Sequence, residues 1–287
     1  MKVPYKLRML KWRLFRKSDG EAKLKFDFQQ LYGRPLDVEN PTTFSEKLFT
    51  KMVLINRFGN PLLTRLADKY LVRDYVSDKA GAHYLPDLLW SGTDPAKIPF
   101  SSLPDKCVVK TNHGSGGNII LDGRISPAEV IKKVRGWLKS NYYFSFREYH
   151  YFNIPRRVLV EGFLDDGQRD GPLDYRFWCF HGEPEIIQID NHAHDINPFY
   201  DVAWNKIALS YRKNFSERDI PKPENYEEML EVVRKLSADF DFVRVDLYNL
   251  KGRIFFGELT FTPAGGRFVF SPQSWDEKLG VKWQLAH

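Results

Sequence analysis

FVRVDLYNLKGRIFFGELTFTPAGG, residues 242–266, is the stretch from which the fold can be predicted. Apolar side chains occupy the odd positions from Val243 to Leu247, and polar side chains occupy the even positions from Arg244 to Tyr248, which is the alternation of a half-buried strand. The segment NLKG then supplies turn residues, and the run after it is rich in residues that strands prefer. The stretch predicts a β-hairpin, with a loop of about three to five residues and a register that the pattern leaves open.

Two acidic residues of this hairpin, Asp246 and Glu258, come close together in any register that puts both polar sets on one face. Thr260 follows on the same strand. Facing carboxylates repel by up to about 1 kcal/mol when nothing lies between them. A divalent cation would reverse the sign of that interaction, and hard oxygen ligands suit Mg²⁺. The pattern therefore predicts a metal site, against the simpler interpretation of an exposed hairpin with two solvated acids.

The composition is that of a folded, mildly basic protein. The chain has 287 residues and a mass of 33.7 kDa, enough for one large domain or roughly two to three small ones. Hydrophobic residues make up 43% of the chain, so a packed core is expected. The net charge of +6 favours anionic partners such as nucleotides, uronic acids or phospholipid headgroups. Basic runs of the nucleic-acid-binding type are confined to the N-terminus.

Several features predict the location of the protein. Cys107 and Cys179 lie in apolar, strand-like runs, which indicates buried thiols in a reducing compartment. The sequence has no apolar stretch of about 18 residues, and its basic start lacks the apolar core and cleavage site of a signal peptide. We therefore expect a cytoplasmic protein, with a peripheral position at the inner membrane face as an alternative.

The first hundred residues are predicted to be mainly helical. Residues 5–16 combine basic side chains with an incomplete apolar stripe, which suits a helix packed on the fold or, alternatively, a helix lying on an anionic membrane surface. Thr43 and Glu46 fit the Thr-x-x-Glu capping box of a helix start. Another helix is expected over residues 61–76, where Lys69 is either an ordinary exposed lysine or part of a site.

A second candidate site lies at residues 107–121, CVVKTNHGSGGNIIL. Its apolar runs predict two strands, the first ending at Lys110, joined by a glycine-rich loop. Such a loop brings backbone N–H groups close to a phosphate, and Lys110 would add a point charge. The Walker A order is absent, and many glycine-rich hairpins are only flexible turns. The prediction therefore depends on the lysine and on the acidic hairpin downstream.

Further elements are predicted between these two sites. Residues 126–139 fit a helix that begins with a serine cap and a proline. The aromatic run at 142–152 is expected to be core or lid packing rather than a platform for a sugar or adenine. Residues 157–164 predict a strand that closes on Glu161, a candidate adenine contact, and residues 174–190 predict another hairpin.

The segment DNHAHD, which follows that hairpin, carries side chains that could bind a metal: Asp190, His192, His194 and Asp195. Their spacing matches no tetrahedral zinc pattern. We therefore predict a substrate-facing or surface loop here rather than a metal site.

The order of these motifs resembles the ATP-grasp superfamily and, more closely, the TupA-like ATP-grasp proteins of bacterial surface-polysaccharide gene clusters. The resemblance covers roughly residues 40–280 and rests on NPTTFSEKL, ADKYLVRDYV, VVKTNHGSGG, VLVEGFL, DYRFWCFHGEPEIIQID, FVRVDLY and FGELTFTPAGG. It implies an α+β ATP-grasp fold, in which two α+β subdomains clasp ATP after a mainly helical N-terminal region. The implied divisions are residues 1–100 for the helical region, 101–165 for the small subdomain with the glycine-rich loop, and 166–287 for the large subdomain with the metal-binding sheet.

The resemblance also implies roles for individual residues. Lys69 and Lys110 would contact the ATP phosphates, and Arg244 with Lys110 would act on the phosphoryl group in transit. The other nucleotide contacts would come from the glycine-rich loop, the strand end facing adenine and a ribose-facing acid: His113, Gly114, Ser115, Gly116, Gly117, Glu161, Gly162, Phe163 and Asp174. The metal ligands, for one or two Mg²⁺ ions or alternatively Mn²⁺, would be Asp246, Glu258 and Thr260.

Two departures from the superfamily pattern accompany the resemblance. Thr260 stands where many members have an asparagine metal ligand, which implies fewer protein ligands and more water on the metal, or a looser second ion. The N-terminal third also lacks the alternating strand–helix pattern of the usual preceding domain. That domain often helps to build the acceptor site, so the acceptor site stays unassigned.

The activity implied by the resemblance is that of an ADP-forming, ATP-dependent carboxylate–amine ligase that acts through an acyl phosphate. It would join an amino acid or amine to a sugar carboxylate, or an amino acid carboxylate to a sugar, in the biosynthesis of capsule, O-antigen or teichuronopeptide-like polysaccharide. Its partners would be ATP, an acidic sugar or polysaccharide intermediate, and an amino acid or amine. No nucleic acid is expected, and weak contact of the basic N-terminus with a membrane surface is a further option.

Two other functions compete with the ligase. A metal-dependent sugar-nucleotide glycosyltransferase of the same pathway is the alternative, because Asp239 and Asp241 form an Asp-x-Asp triplet, although such triplets arise readily by chance. The third interpretation is a non-catalytic nucleotide-binding scaffold. It is disfavoured because both lysines, Arg244 and both hairpin acids are present together.

Overall fold

The computed structural model describes residues 20–165, 167, 172–191, 194, 196–211 and 218–285. The basic helix predicted at residues 5–16 lies outside these described residues, and so do His192 and Asp195 of the DNHAHD segment. Within the described ranges, no helix is both long enough and apolar enough to cross a membrane.

Helices form the N-terminal part of the described chain. α1 spans Gly20–Tyr32, α2 Phe44–Phe58, α3 Pro61–Ala67 and α4 Val72–Lys79. The predicted capping box starts α2. The Thr43 hydroxyl accepts a hydrogen bond from the Glu46 N–H at 3.2 Å, and the Glu46 carboxylate accepts one from the Thr43 N–H at 2.9 Å.

The prediction of a single helix over residues 61–76 is wrong, because a turn at Asp68 separates α3 from α4. One carboxylate oxygen of Asp68 accepts hydrogen bonds from the N–H groups of Tyr70 and Leu71, at 2.8 and 3.3 Å. An aspartate that bonds to the backbone two residues on competes with the helical hydrogen-bond pattern and favours a turn. Lys69 therefore projects from this turn and not from a helix.

The small sheet is antiparallel and contains β1 (Leu88–Gly92), β2 (Cys107–Thr111), β3 (Asn118–Leu121) and β4 (Val158–Gly162), in the spatial order β1-β4-β2-β3. The predicted glycine-rich hairpin is formed by β2 and β3. Because β1 comes from the region predicted to be mainly helical, the small sheet includes strands from both sides of residue 101. The divisions at residues 101 and 166 stay predictions.

Helix α5 (Pro127–Leu138) begins at the predicted Ser126 cap and packs against the valines of the small sheet through Val130 and Val134. Helix α6 (Tyr143–Phe146) lies within the aromatic run. Tyr143 is fully buried, and Tyr149 is 7% exposed. Both belong to the main hydrophobic core, so this run packs as core.

The large sheet is also antiparallel. Its strands are β5 (Asp174–Phe180), β6 (Glu183–Asp190), β7 (Phe199–Asp201), β8 (Lys206–Ile207), β9 (Phe242–Leu250) and β10 (Arg253–Thr260), in the order β10-β9-β5-β6-β7-β8. Helix α7 (Tyr226–Ser237) shares the main core with the odd-numbered residues of β9. On the opposite face, Phe44 of α2 packs with Phe242 and with Trp283, which follows α8 (Ser274–Lys282).

The 242–266 stretch forms the predicted hairpin from β9 and β10, but its loop is shorter than expected. Leu250 still pairs with Arg253, so the loop consists of Lys251 and Gly252, with φ of 53° and 84°. A two-residue loop with positive φ at both positions matches the twist of the flanking strands, and glycine adopts that conformation readily. The predicted loop of three to five residues is therefore wrong.

Candidate active site

A cleft opens where the turn after α3, the small sheet and strand β10 come together. Charged side chains reach it from all three elements and from helix α4: Lys69, Arg73, Lys110, Glu161 and Glu258. The rest of its lining is largely apolar and includes Leu66, Val72, Leu85, Pro86, Tyr151, Phe256 and Leu259. Four residues that the sequence assigned to phosphate, adenine and metal are thus neighbours in space, while their roles stay predictions.

Lys110 contributes the positive charge on the small-sheet side of the cleft. Its Nζ lies 2.5 Å from Oε2 of Glu161, which extends from the adjacent strand β4. Burial lowers the pKa of Lys110, and the Glu161 carboxylate opposes that effect. The Arg73 guanidinium approaches Oε1 of Glu161 at 3.4 Å and donates to the carbonyl of Pro86 at 2.9 Å.

Arg73 was not predicted from the sequence. It lies four residues after Lys69 and, like Lys69, lines the cleft. Residues four apart share a face of a helix, so this spacing was the available signal. The turn at Asp68 weakened it, because Lys69 precedes the helix that carries Arg73.

Lys69 reaches the cleft from a turn that is fixed to the small sheet. Its N–H donates to the carbonyl of Asn112 at 3.1 Å, and the Asn112 side chain donates to the Asp68 carboxylate at 2.9 Å. The Lys69 ammonium lies 3.2 Å from Oε2 of Glu258 on strand β10. This ion pair crosses the cleft and joins the turn to the large sheet.

Other predicted nucleotide contacts lie outside the lining of this cleft. His113 is 2% exposed, and its Nε2 lies 3.3 Å from the carbonyl of Trp137. Burial lowers the pKa of His113 to about 4, so its ring is neutral at pH 7. Gly114 fits closely against Tyr142, since a Cβ on Gly114 would lie 3.1 Å from the Cβ of Tyr142. None of the loop residues 113–117 lines the cleft.

The strand end that was predicted to meet adenine already has contacts with other residues near the small sheet. The Gly162 N–H donates to the carbonyl of Asp87 at 2.9 Å. The Phe163 ring lies 3.9 Å from the Lys106 ammonium, which also pairs with Asp165. Of the three adenine-facing candidates, Glu161 is the one that lines the cleft.

The acidic pair of the hairpin is brought together by an irregularity in its pairing. From the loop up to Phe256 and Leu247 the register is regular, but the next pair is Glu258 with Asp246, because a bulge at Gly257 inserts one residue. If the strand continued regularly, Gly257 would pair with Asp246, and Glu258 would share the core face with Phe256, since successive side chains alternate. The bulge therefore turns Glu258 to the Asp246 side of the sheet.

Arg244 is tied to the same acids. Its Nε and Nη2 donate to the two carboxylate oxygens of Asp246 at 2.7 and 2.5 Å, a bidentate arrangement that orients both groups. Nη2 also donates to the Thr260 hydroxyl at 3.1 Å, and that hydroxyl donates to Oε1 of Glu258 at 3.0 Å. The predicted trio Asp246, Glu258 and Thr260 forms one connected cluster with Arg244.

The two acids differ in their electrostatic environment. Burial raises the pKa of Asp246 to about 7, against the opposing charge of Arg244 and with the help of the Asp174 carboxylate. Burial acts in the same direction on Glu258, but the charges of Lys69 and Arg244 outweigh it and lower the pKa of Glu258 to about 2. Glu258 is therefore fully ionised at neutral pH.

A second arginine, Arg176 of β5, extends this network away from the cleft. Its Nε lies 2.8 Å from Asp174 and 3.9 Å from Asp246, and its Nη1 pairs with Asp190. Asp174, predicted to face the ribose, thus sits beside the metal candidates, and burial raises its pKa. Arg176 was not predicted from the sequence, although alternation in DYRFWCF puts it on the same face as Asp174. Only the β5–β9 register placed Arg176 opposite Asp246.

The donor set on β9 and β10 fits a hard cation. It offers two carboxylates and a hydroxyl on one face, all oxygen donors, and Mg²⁺ characteristically completes its shell with water. Among the described residues, no group of three or more His, Cys, Asp and Glu side chains is arranged to hold a metal. A metal here would therefore rely on two protein carboxylates.

The two competing acidic motifs have other contacts. Asp190 of the DNHAHD segment pairs with Arg176 and lies 2.9 Å from Nδ1 of His194. Asp239 pairs with Lys79 at 2.7 Å. Asp241 pairs with Lys51 and accepts from the Trp283 indole at 3.1 Å. The Asp-x-Asp triplet therefore connects helices α4 and α2 to the chain just before β9.

Known proteins show which family this chain resembles. A family model described as TupA-like ATPgrasp matches residues 47–284. Comparison with curated protein sequences yields no match.

Solved structures that match the chain include D-alanine–D-alanine ligase from Bacillus anthracis complexed with ATP, at 14% identity and a TM-score of 0.45, covering 83% of this chain and 71% of that one. L-amino acid ligase from Bacillus licheniformis has 16% identity and a TM-score of 0.47, covering 86% and 56%. N5-carboxyaminoimidazole synthetase from Staphylococcus aureus has 12% identity and a TM-score of 0.45, covering 83% and 58%. The chain thus spans little more than half the length of the last two proteins.

Proposed function

Because the chain belongs to the TupA-like ATP-grasp family and is an ATP-dependent ligase, we propose that it activates a carboxylate as an acyl phosphate and joins it to an amine. The observation that carries this proposal is the convergence of Lys69, Lys110 and Glu258 on one cleft from three separate parts of the chain. Two lysine side chains can bind the outer phosphates of ATP, and the Glu258 carboxylate can bind the metal ion that accompanies them.

The reaction has two steps. In the first, a substrate carboxylate oxygen attacks the γ-phosphorus of ATP, the bond to the bridging oxygen breaks, and ADP leaves with that electron pair. In the second, an amine attacks the acyl carbon, inorganic phosphate leaves, and the amine loses a proton to give a neutral amide. Neither step needs a side-chain nucleophile, so the protein acts by positioning its substrates and neutralising charge.

The basic side chains stabilise the phosphoryl group as it moves. Lys69 and Lys110 hold the outer phosphates from the turn and from the small sheet. Arg244 stabilises the phosphoryl group beside the acceptor carboxylate, because its bidentate contact with Asp246 fixes the guanidinium in advance. Such groups are most effective where water is excluded, and Arg244 is 6% exposed.

Asp246, Glu258 and Thr260 would hold one or two Mg²⁺ ions, or Mn²⁺ in their place. A bound divalent cation supplies charge neutralisation at the outer phosphates of ATP. Asp174 and residues 161–163 serve the ribose and adenine in this proposal, while His113 and the glycines of residues 114–117 shape the loop that covers the phosphates.

The substrates follow from charge and from the family resemblance. A net charge of +6 favours an acidic sugar or an acidic amino acid as the carboxylate partner. The product is an amide that links an amino acid or amine to a sugar carboxylate, or an amino acid carboxylate to a sugar, in bacterial surface-polysaccharide biosynthesis. The protein works in the cytoplasm, with weak peripheral contact to the inner membrane through its basic N-terminus as an extension of the proposal.

Product analysis tests this function. Purified protein is incubated with ATP, Mg²⁺ and a panel of uronic acids combined with amino acids, and the products are identified by mass spectrometry. We expect an amide together with equal amounts of ADP and phosphate. AMP as the stoichiometric nucleotide product would overturn the mechanism, UDP release from UDP-sugars would support a glycosyltransferase, and ATP binding without turnover would support a scaffold.

A further inference from the structure

The carboxylates on β9 and β10 each have a cationic partner. Asp246 is paired with Arg244 at 2.7 and 2.5 Å, and Glu258 is paired with Lys69 at 3.2 Å. Arg244 also lies 3.6 Å from Glu258. With both carboxylates ionised, two negative charges face two positive charges, and Asp246 with Glu258 then offers little net attraction to a divalent cation.

Lys69 differs from the other three members of this set. Asp246, Arg244 and Glu258 belong to one hairpin, whereas Lys69 belongs to a turn 189 residues earlier than Glu258 and reaches across the cleft. Its backbone is fixed by the bond to Asn112 at 3.1 Å, but its side chain is 19% exposed and lines the cleft. The Lys69 ammonium can therefore change partner without any movement of the hairpin.

We propose that Lys69 exchanges partners when nucleotide binds. Without nucleotide it neutralises Glu258 and keeps the affinity of the carboxylate pair for a divalent cation low. The phosphates of ATP draw the Lys69 ammonium away, and Asp246, Glu258 and Arg244 together then carry one net negative charge. This inference rests on the proposed function, because it takes ATP as the ligand that competes for Lys69.

The exchange makes nucleotide and metal bind cooperatively. Whatever factor ATP adds to the metal affinity, the metal must add to the ATP affinity, since the coupling is reciprocal. Arg176, Asp174 and Asp190 carry the same charge with and without nucleotide. They therefore do not alter the change in metal affinity that nucleotide binding causes. The protein would then take up a divalent cation with the nucleotide rather than before it.

Binding of Mn²⁺ to nucleotide-free protein tests the exchange, measured by electron paramagnetic resonance of the free ion. We expect Lys69→Met to raise the Mn²⁺ affinity about tenfold or more over wild type, because a positive charge 3.2 Å from Glu258 is removed. Lys110→Met is the matched control. Lys110 lines the same cleft but pairs with Glu161 at 2.5 Å, so its loss should weaken ATP binding without changing the Mn²⁺ affinity.

A double variant tests whether the gain in Mn²⁺ affinity depends on the Glu258 carboxylate. Adding Glu258→Gln to Lys69→Met should return the Mn²⁺ affinity to the wild-type value or below. If circular dichroism shows that Lys69→Met does not fold, Lys69→Gln replaces it, and we expect the same gain in Mn²⁺ affinity. Equal Mn²⁺ affinities for wild type and a folded Lys69 variant would overturn the exchange, and so would an equal gain in Lys110→Met.

Failure of the exchange can be told apart from failure of the function. Wild-type protein that binds ATP–Mg²⁺ while Lys69→Met shows no gain in Mn²⁺ affinity overturns the exchange alone. Wild-type protein that shows no binding of ATP in the presence of Mg²⁺ by calorimetry overturns both.

Discussion

Glu258 stands directly opposite Asp246 on the neighbouring strand, although regular pairing from the hairpin loop would place Gly257 there. The bulge leaves no room for a side chain, because a Cβ on Gly257 would lie 2.9 Å from the carbonyl oxygen of Asp246. The bulge that turns Glu258 towards Asp246 therefore requires a glycine at position 257.

Gly257→Ala should distort the bulge and destabilise the protein by about 1–3 kcal/mol, since backbone rather than a flexible side chain obstructs the new methyl group. The affinity for ATP–Mg²⁺ should fall as well, because Glu258 shifts relative to Asp246. Urea unfolding measures the loss of stability, and calorimetry measures the loss of ATP–Mg²⁺ affinity.

Gly136→Ala on α5 is the control for Gly257→Ala. A Cβ there meets nothing within 4 Å, so that variant should gain about 0.5–1 kcal/mol. Unchanged stability and nucleotide affinity in Gly257→Ala would contradict the role given to the bulge.

Glu258→Gln should reduce turnover by about 10²-fold or more, while nucleotide binding weakens much less. The carboxylate is assigned to charge that matters most in the transition state, whereas adenine and ribose are held elsewhere. The rate of ADP formation with the substrate pair found by product analysis gives the first quantity, and calorimetry with ATP–Mg²⁺ gives the second. Glu277→Gln, exposed on α8, should leave both unchanged. Near-wild-type kcat in Glu258→Gln would show that the metal assignment is wrong.

Arg73→Met should weaken ATP binding by about tenfold, because a cation that lines the cleft is lost and Glu161 keeps Lys110 as its cationic partner. Isothermal titration with a non-hydrolysable ATP analogue measures the change. The matched control is Arg65→Met on the preceding helix. Its side chain is 57% exposed and approaches Asp74 at 3.6 Å, so its loss should have little effect on affinity. Equal affinities for Arg73→Met and wild type would remove Arg73 from the site.

Glu148→Gln should change how stability depends on pH. The Glu148 carboxyl accepts a hydrogen bond from Thr262. Burial raises its pKa from 4.5 to about 7, with Thr262 and Arg267 opposing the shift and Glu258 adding to it. Between these values the unfolded chain has released the proton and the folded protein has kept it. The free energy of unfolding therefore falls as pH rises from about 4.5 to 7.

The variant lacks this titration, so its stability should decline less over that window, by about 1–3 kcal/mol relative to wild type. Urea unfolding at several pH values between 4.5 and 8 measures the difference. The charged or titratable groups near Glu148 include Arg267, Glu258, Tyr142 and Tyr151, and they are common to both proteins. Parallel curves for wild type and Glu148→Gln would refute the prediction, and Glu277→Gln again serves as the exposed control.

Local patterns predicted much of the secondary structure. The capping box at Thr43, the Ser126 cap, the glycine-rich hairpin and the alternation in β9 all appear where the sequence placed them. Each depends on residues within a few positions of one another, and such interactions act in any part of the chain. The errors also had local causes. The Asp68 side chain ended a helix that the apolar spacing continued, and Gly252 allowed a shorter loop than expected.

What the sequence by itself determined was which residues alternate along each strand, where the hairpins turn and in what order the family motifs follow one another. Tertiary structure alone decided which of those residues meet. The ion pair of Lys69 with Glu258, the sharing of Arg176 among Asp174, Asp190 and Asp246, and the entry of Arg73 into the cleft depend on strand register and on how the two sheets pack. Periodicity fixes the face that a side chain occupies, but a single inserted residue, as at Gly257, changes which partner it faces.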